Sequence, residues 1–441
     1  MRKELQKMSN WIVRGGAVLS GTVSVQGSKN AALPILAATL LVEEPIRLLN
    51  CPAILDVENM LRILESLGVT VVREPDALIV DSRTANRFEL PTALSGELRS
   101  SIFLLGSVLS RFSAADAPYP GGCEIGNRPI DLHLEGLKRL NAEIEEQGGR
   151  IRCSGAHLRG AIVDLGYPSV GATENIMLAA ARADGQTTIR NAACEPEIVD
   201  LERFLCACGF RVAGAGTPTI VIDGVKTGHG TSFRVMPDRI VTGTYLLGAA
   251  ITGGDVTVTD TQPKTVDTLL YQLAACGCDV FEKPDSVRVQ AKKRPVGIGL
   301  IETRPYPGFP TDLQPQLFSL LSLAEGTSVL VENVFENRFK HAQELKKMGA
   351  KNRILDRTAI ITGVARLHGA SVTAHDLRGG AALALAGLAA EGETQILRAE
   401  RIERGYERME DVIAGLGGTI LRKEDGIGKE EETQRAHKFP V

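Results

Sequence analysis

The feature that most constrains this chain is an internal repeat of about 70 residues. An amphipathic helical pattern, a small-residue break and two short strands joined by a turn recur six times along the 441 residues. The markers of the six copies are Gly68, Asn141, Gly209, Gly277, Gly349 and Gly417. Their successive spacings are 73, 68, 68, 72 and 68 residues. An alanine-rich apolar helix, a glycine and an alternating strand precede most copies, so each unit is predicted to run strand–helix–strand–helix–strand–strand.

The two helices of each unit differ in their apolar patterns. The alanine-rich helices are apolar on nearly all faces and are predicted to be buried, whereas the second helices alternate with charge and are predicted to lie outside. Since a buried helix needs neighbours, three units would share a core of about 200 residues, and six units would form two domains. The predicted fold class is therefore α/β with two three-unit domains. The glycine-rich segment at 230–237 marks the division, and the charged residues 423–441 are predicted to fray.

Composition and charge narrow the possible partners. Fifty basic and 53 acidic residues leave a net charge of −3, so no global field draws the chain to nucleic acid or membrane. Apolar stretches such as 33–42 run only about half of the roughly 20 residues that a bilayer requires. The charged N-terminal segment does not resemble a signal peptide, and a cytoplasmic location is predicted.

The eight cysteines are too sparse for a disulfide scaffold and lack the paired C-x-x-C spacing of a zinc site. Four of them, Cys206, Cys208, Cys276 and Cys278, fall in apolar helical patterns and are predicted to be core residues. No metal and no cofactor are expected.

Lys29 and Asn30 stand at the entrance of the first buried helix. Free backbone N–H groups at such an entrance, together with a lysine, favour an anion site. The alternative is an ordinary solvated helix start capped by Ser28. Neither a P-loop nor a dinucleotide fingerprint is present.

A glycine-rich loop carries Cys123 between glycines at 121, 122 and 126. The loop is predicted to be mobile and its cysteine exposed, unlike the other seven. Arg128 lies close in sequence and could stabilise a thiolate. The alternative is an incidental loop cysteine.

Asp312 opens the buried helix of the fifth unit, where it could cap the helix or, facing a cleft, accept a proton from a sugar hydroxyl. Four arginines occupy corresponding places in different units: Arg99, Arg338, Arg378 and Arg404. Each alone could be a surface ion-pair partner. Together they indicate a small, multiply charged anion bound between the two domains.

These positions fall in segments that resemble the UDP-N-acetylglucosamine 1-carboxyvinyltransferase family of enolpyruvyl transferases over essentially the full chain. The matching segments include SKNAALPILAA, LRSSIFLLG, PGGCEIGNRPIDLHL, SVGATENIMLAA, PDRIVTGTYL, FPTDLQPQ, VFENRF, DLRGGAAL and RGYERMED. The resemblance implies two inside-out α/β barrels, each with three pseudo-repeats. It also implies that residues 29–236 form the first domain, while residues 1–28 and 237–441 form the second, with hinges near 27–29 and 230–237.

The resemblance implies a role for each matching site residue. Cys123 and Asp312 would be catalytic, and the phosphoenolpyruvate-binding residues would be Lys29, Asn30, Arg128, Arg378 and Arg404. The residues that contact UDP-N-acetylglucosamine would be Arg99, Arg128, Pro129, Ile130, Asp131, Leu132, Ser169, Val170, Gly171, Asp312 and Val334. Tyr167 departs from the family, because some members carry a lysine there against the nucleotide diphosphate.

The implied activity is transfer of the enolpyruvyl group to the sugar 3′-hydroxyl, the first committed step of peptidoglycan synthesis, with inactivation by fosfomycin at Cys123. The expected partners are the two substrates alone, and a monomer or weak oligomer is expected. Three alternatives remain: the sister activity on shikimate 3-phosphate, a non-catalytic or regulatory paralogue that binds the same ligands, and a pure repeat scaffold. The PGGC loop and SVGAT disfavour the first, and the intact site residues disfavour the others.

Overall fold

The computed structural model of the protein describes residues 9–121, 125, 130–155 and 157–424. Within these ranges it contains thirteen α-helices and short 3-10 helices between them. The helices are α1 Lys29–Ala38, α2 Leu55–Ser66, α3 Thr92–Glu97, α4 Phe103–Phe112, α5 Asp131–Arg139, α6 Val170–Ala180, α7 Pro196–Ala207, α8 Arg239–Thr252, α9 Asp267–Ala275, α10 Gln314–Leu321, α11 Lys340–Lys347, α12 Leu377–Ala389 and α13 Met409–Gly415. The 3-10 helices are Thr39–Leu41, Arg99–Ile102, Pro263–Thr265, Thr311–Leu313 and Ala399–Arg401.

The described strands are short, as expected for repeating α/β units. Those in the first part of the chain are β1 Ser9–Arg14, β2 Ser20–Ser24, β3 Ile46–Leu49, β4 Thr70–Arg73, β5 Ala77–Asp81, β6 Ala114–Pro118, β7 Glu143–Gln147, β8 Arg150–Ser154, β9 Ile162–Asp164, β10 Gln186–Arg190, β11 Arg211–Ala213 and β12 Thr219–Asp223. The later ones are β13 Ser232–Arg234, β14 Asp255–Thr259, β15 Asp279–Lys283, β16 Ser286–Gln290, β17 Leu300–Glu302, β18 Thr327–Val331, β19 Lys351–Leu355, β20 Thr358–Thr362, β21 Ser371–Thr373, β22 Glu393–Leu397 and β23 Thr419–Glu424.

The strands form one small sheet per repeat. Five sheets have four strands, in the orders β13-β3-β5-β4, β11-β12-β10-β9, β15-β16-β14-β2, β17-β18-β20-β19 and β21-β22-β1-β23, and the sixth is β6-β8-β7. In the fifth unit the chain order is β17, α10, β18, α11, β19, β20, which is the predicted order. The six repeat markers all have a left-handed backbone, with φ between +69° and +95°, and Asn141 takes this conformation in place of a glycine.

The alanine-rich helices α1, α4, α6, α8, α10 and α12 lie inside, as predicted. Every residue of α8 is buried, and α10 packs on both α8 and α12. Two separate hydrophobic clusters result. The first core comprises residues 31–236, and the second core comprises residues 11–25 together with residues 240–420. The predicted α/β fold of three-unit halves around buried helices is confirmed.

The halves are connected by two crossover segments, 25–28 and 235–238, and a strand beside each of them completes a sheet of its own half far along the chain. β2 joins the sheet of β14, with Thr22 opposite Thr257, and β13 joins the sheet of β3, with Phe233 opposite Leu48. The two crossover segments run side by side, since Ser28 N–H donates to the Met236 carbonyl at 2.8 Å. Any side chain at Gly27 would collide with the chain, because its Cβ would lie 1.7 Å from the Asn50 carbonyl oxygen.

Two predictions about individual segments are wrong. The predicted frayed tail begins two residues too early, because β23 continues to Glu424 and pairs with Ser9 of β1. Cys206 is exposed, because it follows the inward-facing Leu205 on α7 and therefore points about 100° away from it. Cys208, Cys276 and Cys278 are buried as predicted. In the part of the chain that the structure describes, no helix is long and apolar enough to cross a membrane.

Candidate active site

A buried carboxylate joins two of the predicted anion-binding residues. Lys29 is the first residue of α1, after Ser28, whose Oγ accepts the Ala31 N–H at 3.3 Å and caps the helix. The Lys29 ammonium lies 3.2 Å from Asp56 Oδ2, and Arg404 Nε lies 2.8 Å from Asp56 Oδ1. Asp56 and Lys29 flank the first core, while Arg404 comes from the second half of the chain. These contacts bring two cations from the two halves of the chain onto one carboxylate.

A second carboxylate, Asp312, is shared by two arginines. Asp312 lies in the 3-10 helix Thr311–Leu313, directly before α10. Arg338 Nη2 lies 2.9 Å from Asp312 Oδ1, and Arg378 Nη2 lies 3.5 Å from Oδ2. Both arginine side chains are only 3% exposed, whereas Asp312 is 27% exposed. Asp312 therefore presents an accessible edge, while its partners are held in the protein.

The residues around Asp56 and those around Asp312 interact electrostatically. Burial lowers the pKa of the Lys29 ammonium group, and the guanidinium groups of Arg378 and Arg404 lower it further. The carboxylates of Asp56 and Asp312 act on Lys29 in the opposite direction. In these ion pairs four cations share two carboxylates, so positive side chains outnumber negative ones by two, which suits a small multiply charged anion.

The guanidinium of Arg378 has hydrogen-bonding capacity to spare. The backbone N–H of Arg378 donates to Asp376 Oδ1 at 3.1 Å, and the centre of the Tyr406 ring lies 5.5 Å from the guanidinium carbon. The Nε and Nη1 groups are buried and have no hydrogen-bond partner among the described residues. Buried donors without acceptors are costly, so an anion in this cleft would stabilise the arrangement.

Glu332 shapes the segment that contains Val334. Glu332 is fully buried, and its Oε1 accepts the Val334 N–H at 2.9 Å and the Thr303 hydroxyl at 2.8 Å. Its Oε2 accepts the hydroxyl of Thr311 at 2.9 Å. One carboxylate therefore ties the Val334 segment to the residue beside Asp312, so two of the predicted UDP-sugar contacts lie close together.

The predicted UDP-sugar contacts of the first half lie at neighbouring helix starts. Ser169 caps α6 and is followed by Val170 and Gly171, all half-buried. Gly171 leaves little room for a side chain, because a Cβ would lie 3.1 Å from the ring of His133 of α5. Since α5 begins at Asp131, the 131–132 and 169–171 segments lie at adjacent helix ends. Ile130 is buried, Asp131 is exposed and Leu132 is half-buried.

Arg99 begins the 3-10 helix that leads into α4, and its side chain is half-buried. Asn30, the second residue of α1, is also half-buried. Asn175 of α6 accepts the Gly106 N–H of α4 at 2.8 Å, which fixes these two helices against each other. Arg99 and Ser169 thus precede two helices that pack closely.

Cys123, Arg128 and Pro129 lie outside the described residues. Ile125, from the same loop, is described and is 5% exposed. Its carbonyl accepts the Asn337 N–H at 3.0 Å, next to Arg338. The loop is thereby connected to the second half at the residue beside an Asp312 partner.

The sequence did not predict a role for Asp56 or Glu332. It did predict one for Arg338. Asp56 occupies the first turn of an amphipathic helix, where an acidic residue usually complements the helix dipole. Only its near-complete burial distinguishes it, and no sequence pattern gives that. Within the described residues, no group of three or more His, Cys, Asp or Glu side chains could hold a metal ion.

Comparisons with solved structures show the fold. The enolpyruvyl transferase NikO from Streptomyces tendae has a TM-score of 0.86 at 24% identity, covering 95% of this chain and 100% of that one. EPSP synthase from Acinetobacter baumannii has a TM-score of 0.72 at 20% identity, covering 94% and 100%.

Sequence comparisons show the family. The family model for EPSP synthase (3-phosphoshikimate 1-carboxyvinyltransferase) matches residues 13–413. A UDP-N-acetylglucosamine 1-carboxyvinyltransferase 2 from Caldanaerobacter subterraneus subsp. tengcongensis is 50% identical over 94% of this chain and 100% of its own length. Relatives of the same name from Carboxydothermus hydrogenoformans, numbered 1, and Magnetococcus marinus are 47% and 44% identical over 94% of this chain, covering 98% and 99% of their own lengths. The chain therefore belongs to the EPSP synthase family of enolpyruvyl transferases and, within it, to the UDP-N-acetylglucosamine 1-carboxyvinyltransferases.

Proposed function

We propose that this protein transfers the enolpyruvyl group of phosphoenolpyruvate to the 3′-hydroxyl of UDP-N-acetylglucosamine and releases phosphate, the first committed step of peptidoglycan synthesis. The observation that carries this proposal is the surplus of positive charge that Lys29, Arg338, Arg378 and Arg404 create around two carboxylates. Phosphoenolpyruvate, which bears a phosphate and a carboxylate, matches that surplus. The relatives' shared name supplies the acceptor, UDP-N-acetylglucosamine.

The proposed reaction is an addition followed by an elimination. The 3′-hydroxyl oxygen bonds to C2 of phosphoenolpyruvate, loses its proton, and C3 gains a proton. In the second step C3 loses a proton, the double bond re-forms, and the bond from C2 to the phosphate oxygen breaks. Lys29, Arg378, Arg404 and the undescribed Arg128 would hold the phosphate and carboxylate throughout, with Asn30 beside them.

Asp312 would orient the 3′-hydroxyl and accept its proton. Burial would raise the pKa of its carboxyl, but Arg378, Arg338 and Lys29 more than offset this and hold the pKa below its usual value. A carboxyl with a low pKa stays ionised at neutral pH but is a weak base. When the substrate anion competes for Arg378, the pKa of Asp312 would rise and its carboxylate would become a stronger base. Base strength and substrate binding would therefore be coupled.

Cys123 would donate the proton to C3, and its thiolate could also attack C2 to give a covalent phospholactoyl adduct. Support comes from the loop's attachment through Ile125 to the residue beside Arg338. Closure of the two domains, 29–236 against 1–28 with 237–441, would bring this loop over the substrates. The paired crossover segments at Ser28 and Met236 are suited to act as the hinge.

UDP-N-acetylglucosamine would lie along the neighbouring helix starts of the first half. We assign its contacts to Arg99, Arg128, Pro129, Ile130, Asp131, Leu132, Ser169, Val170, Gly171, Asp312 and Val334. Glu332 holds Val334 near Asp312 in the second half, which supports a sugar that reaches from the first half to the second. A cytoplasmic location and a monomeric or weakly oligomeric state remain predictions.

The test is phosphate release from phosphoenolpyruvate, with UDP-N-acetylglucosamine and shikimate 3-phosphate as parallel acceptors. The second acceptor is included because the matching family model bears the name of the shikimate enzyme. We expect release only with the UDP-sugar, and its loss after fosfomycin, with one drug molecule added to Cys123 by mass spectrometry. No release with either acceptor from folded protein would overturn the proposal and favour a binding paralogue.

A further inference from the structure

Asp56 is a nearly fully buried charged group of the site that the proposed reaction leaves unused. Its side chain is 2% exposed and lies in the first turn of α2. Oδ1 accepts from Arg404 Nε at 2.8 Å, while Oδ2 lies 3.2 Å from Lys29 Nζ and 3.4 Å from Arg404 Nη2. These hydrogen bonds all go to two cations that come from opposite halves of the chain.

The backbone around Asp56 repeats this bridge. The Leu55 N–H donates to the Glu403 carbonyl at 3.2 Å, and the Ala53 N–H donates to Glu407 Oε2 at 3.1 Å. The start of α2 is therefore fixed against residues 403–407 by one bond to a main-chain carbonyl and one to a side-chain carboxylate, on either side of Arg404. Asp56 has little freedom to move, so its charge stays where Lys29 and Arg404 meet.

The charges that face Lys29 come from several elements. Arg378 of α12 and Arg404 disfavour its protonated form, in addition to burial, whereas Asp56 and Asp312 favour it. Asp238, the N-cap of α8, accepts the Lys29 backbone N–H at 3.1 Å. Asp312 forms ion pairs with Arg338 and Arg378. Asp56 is the carboxylate that forms an ion pair with the Lys29 ammonium group.

We propose that Asp56 is a positioning residue that keeps Lys29 protonated and aligns it with Arg404, so that the two cations can hold one anionic substrate across the closed cleft. This inference rests on the proposed function for the identity of the anion. The same argument explains why Asp56 itself remains ionised: burial opposes its charge, but Lys29 and Arg404 keep the pKa of its carboxyl below the usual value.

The direct test measures the pKa of Lys29 in the full-length protein by trace acetylation over a pH series, quantified by mass spectrometry. In Asp56→Asn the Lys29 ammonium loses the opposite charge at 3.2 Å, so its pKa should fall by about 1 to 3 units. Asp56→Glu, which retains the charge, should restore most of that shift. An unchanged Lys29 pKa in Asp56→Asn would overturn the proposal.

The catalytic test is the pH dependence of kcat/KM for phosphoenolpyruvate at saturating UDP-sugar. Since Lys29 must be protonated to bind the anion, Asp56→Asn should move the alkaline limb to lower pH by the same amount, so the deficit grows as pH rises. A uniform loss at all pH values would indicate a merely structural role and refute the proposal. Asp255→Asn, which removes the carboxylate from the exposed Arg288 pair, is the matched control and should change neither profile.

The two proposals can fail separately. If the wild-type protein released no phosphate while Lys29 still titrated differently in Asp56→Asn, the proposed reaction would fall and the role of Asp56 would stand. Normal catalysis with an unshifted Lys29 would support the reaction and overturn the role of Asp56.

Discussion

Replacing Asp312 by Asn separates the chemical role of this residue from its structural one. The substitution keeps the shape of the side chain and one oxygen that can accept from Arg338, whose Nη2 lies 2.9 Å from Asp312 Oδ1 in the wild type. It removes the negative charge that Arg338 and Arg378 share. Loss of a general base typically lowers the rate by about 10² to 10⁴-fold. Because its arginine neighbours hold the pKa of Asp312 low, the carboxylate is a weak base, and we expect the lower end, about 10² in kcat.

Substrate binding should respond in the opposite direction. Without the carboxylate, Arg338 and Arg378 keep their charges in nearly full burial and gain affinity for a phosphate or carboxylate group. The KM for phosphoenolpyruvate should therefore stay equal or fall while kcat falls. Stability should also drop, by about 1 to 3 kcal/mol, less than for a fully buried pair because Asp312 is 27% exposed.

The stability loss should depend on pH in a defined way. A carboxyl whose folded-state pKa is lowered stabilises the protein above its unfolded pKa of about 3.9, and this stabilisation is lost as pH falls through the folded-state value. The difference in Tm between wild type and variant should thus be full at pH 7 and shrink below about pH 4.

The assays are steady-state phosphate release and thermal unfolding, with Asp116→Asn as control. Asp116 also holds two arginines, Arg150 at 2.5 Å and Arg152 at 3.4 Å, at a comparable 17% exposure. It belongs to the β6-β8-β7 sheet, so its variant should lose stability but keep kcat. An Asp312→Asn enzyme with wild-type kcat, or with a raised KM as its only defect, would refute the reasoning.

Three further predictions concern other parts of the chain. Cys123→Ala should abolish multiple turnover while UDP-sugar binding by calorimetry stays nearly unchanged; turnover like wild type would remove Cys123 from the mechanism. Tyr167→Lys should lower the Kd for UDP-N-acetylglucosamine by about 2- to 5-fold at low salt, as one exposed ion pair allows, whereas an unchanged Kd would show that position 167 does not face the diphosphate. Gly27→Ala should lower the Tm strongly because its Cβ would lie 1.7 Å from a carbonyl oxygen, while Gly299→Ala, with open space around it, should not.

The repeat predicts the order of helices and strands within each unit, but not the long-range strand pairings that complete the sheets. Each unit's order follows from apolar periodicity, and even the left-handed Asn141 falls at a predicted marker. By contrast, the pairing of β2 with β14 and of β13 with β3 joins segments about 185 to 235 residues apart. Each pairing closes one core on itself across a long stretch of chain, and no local pattern encodes it.

The site was predictable where it breaks the repeat. Four polar residues interrupt the repeat pattern, and the structure brings them close together: Lys29, Asp312, Arg378 and Arg404. Asp56 did not stand out, because an acidic residue in the first turn of an outer helix obeys the pattern rather than breaking it. Its proposed role rests on its contact with Arg404, which is 348 residues away along the chain.

Helix dipoles explain why those breaks point to an anion. The first turns of the outer helices α2, α5, α7, α9 and α13 contain acidic residues, as the positive end of a helix favours, and α11 is the exception. The first turns of the six buried helices contain none, and Lys29, Arg239 and Arg378 stand there instead, although Asp238 and Asp376 cap α8 and α12. A cation at that end is disfavoured by about 0.3 to 1 kcal/mol. Glu197 pairs with Arg239 at 3.0 Å, whereas Lys29 and Arg378 share Asp56 and Asp312 with two further arginines. A bound anion would therefore supply the compensation that these two shared carboxylates leave incomplete.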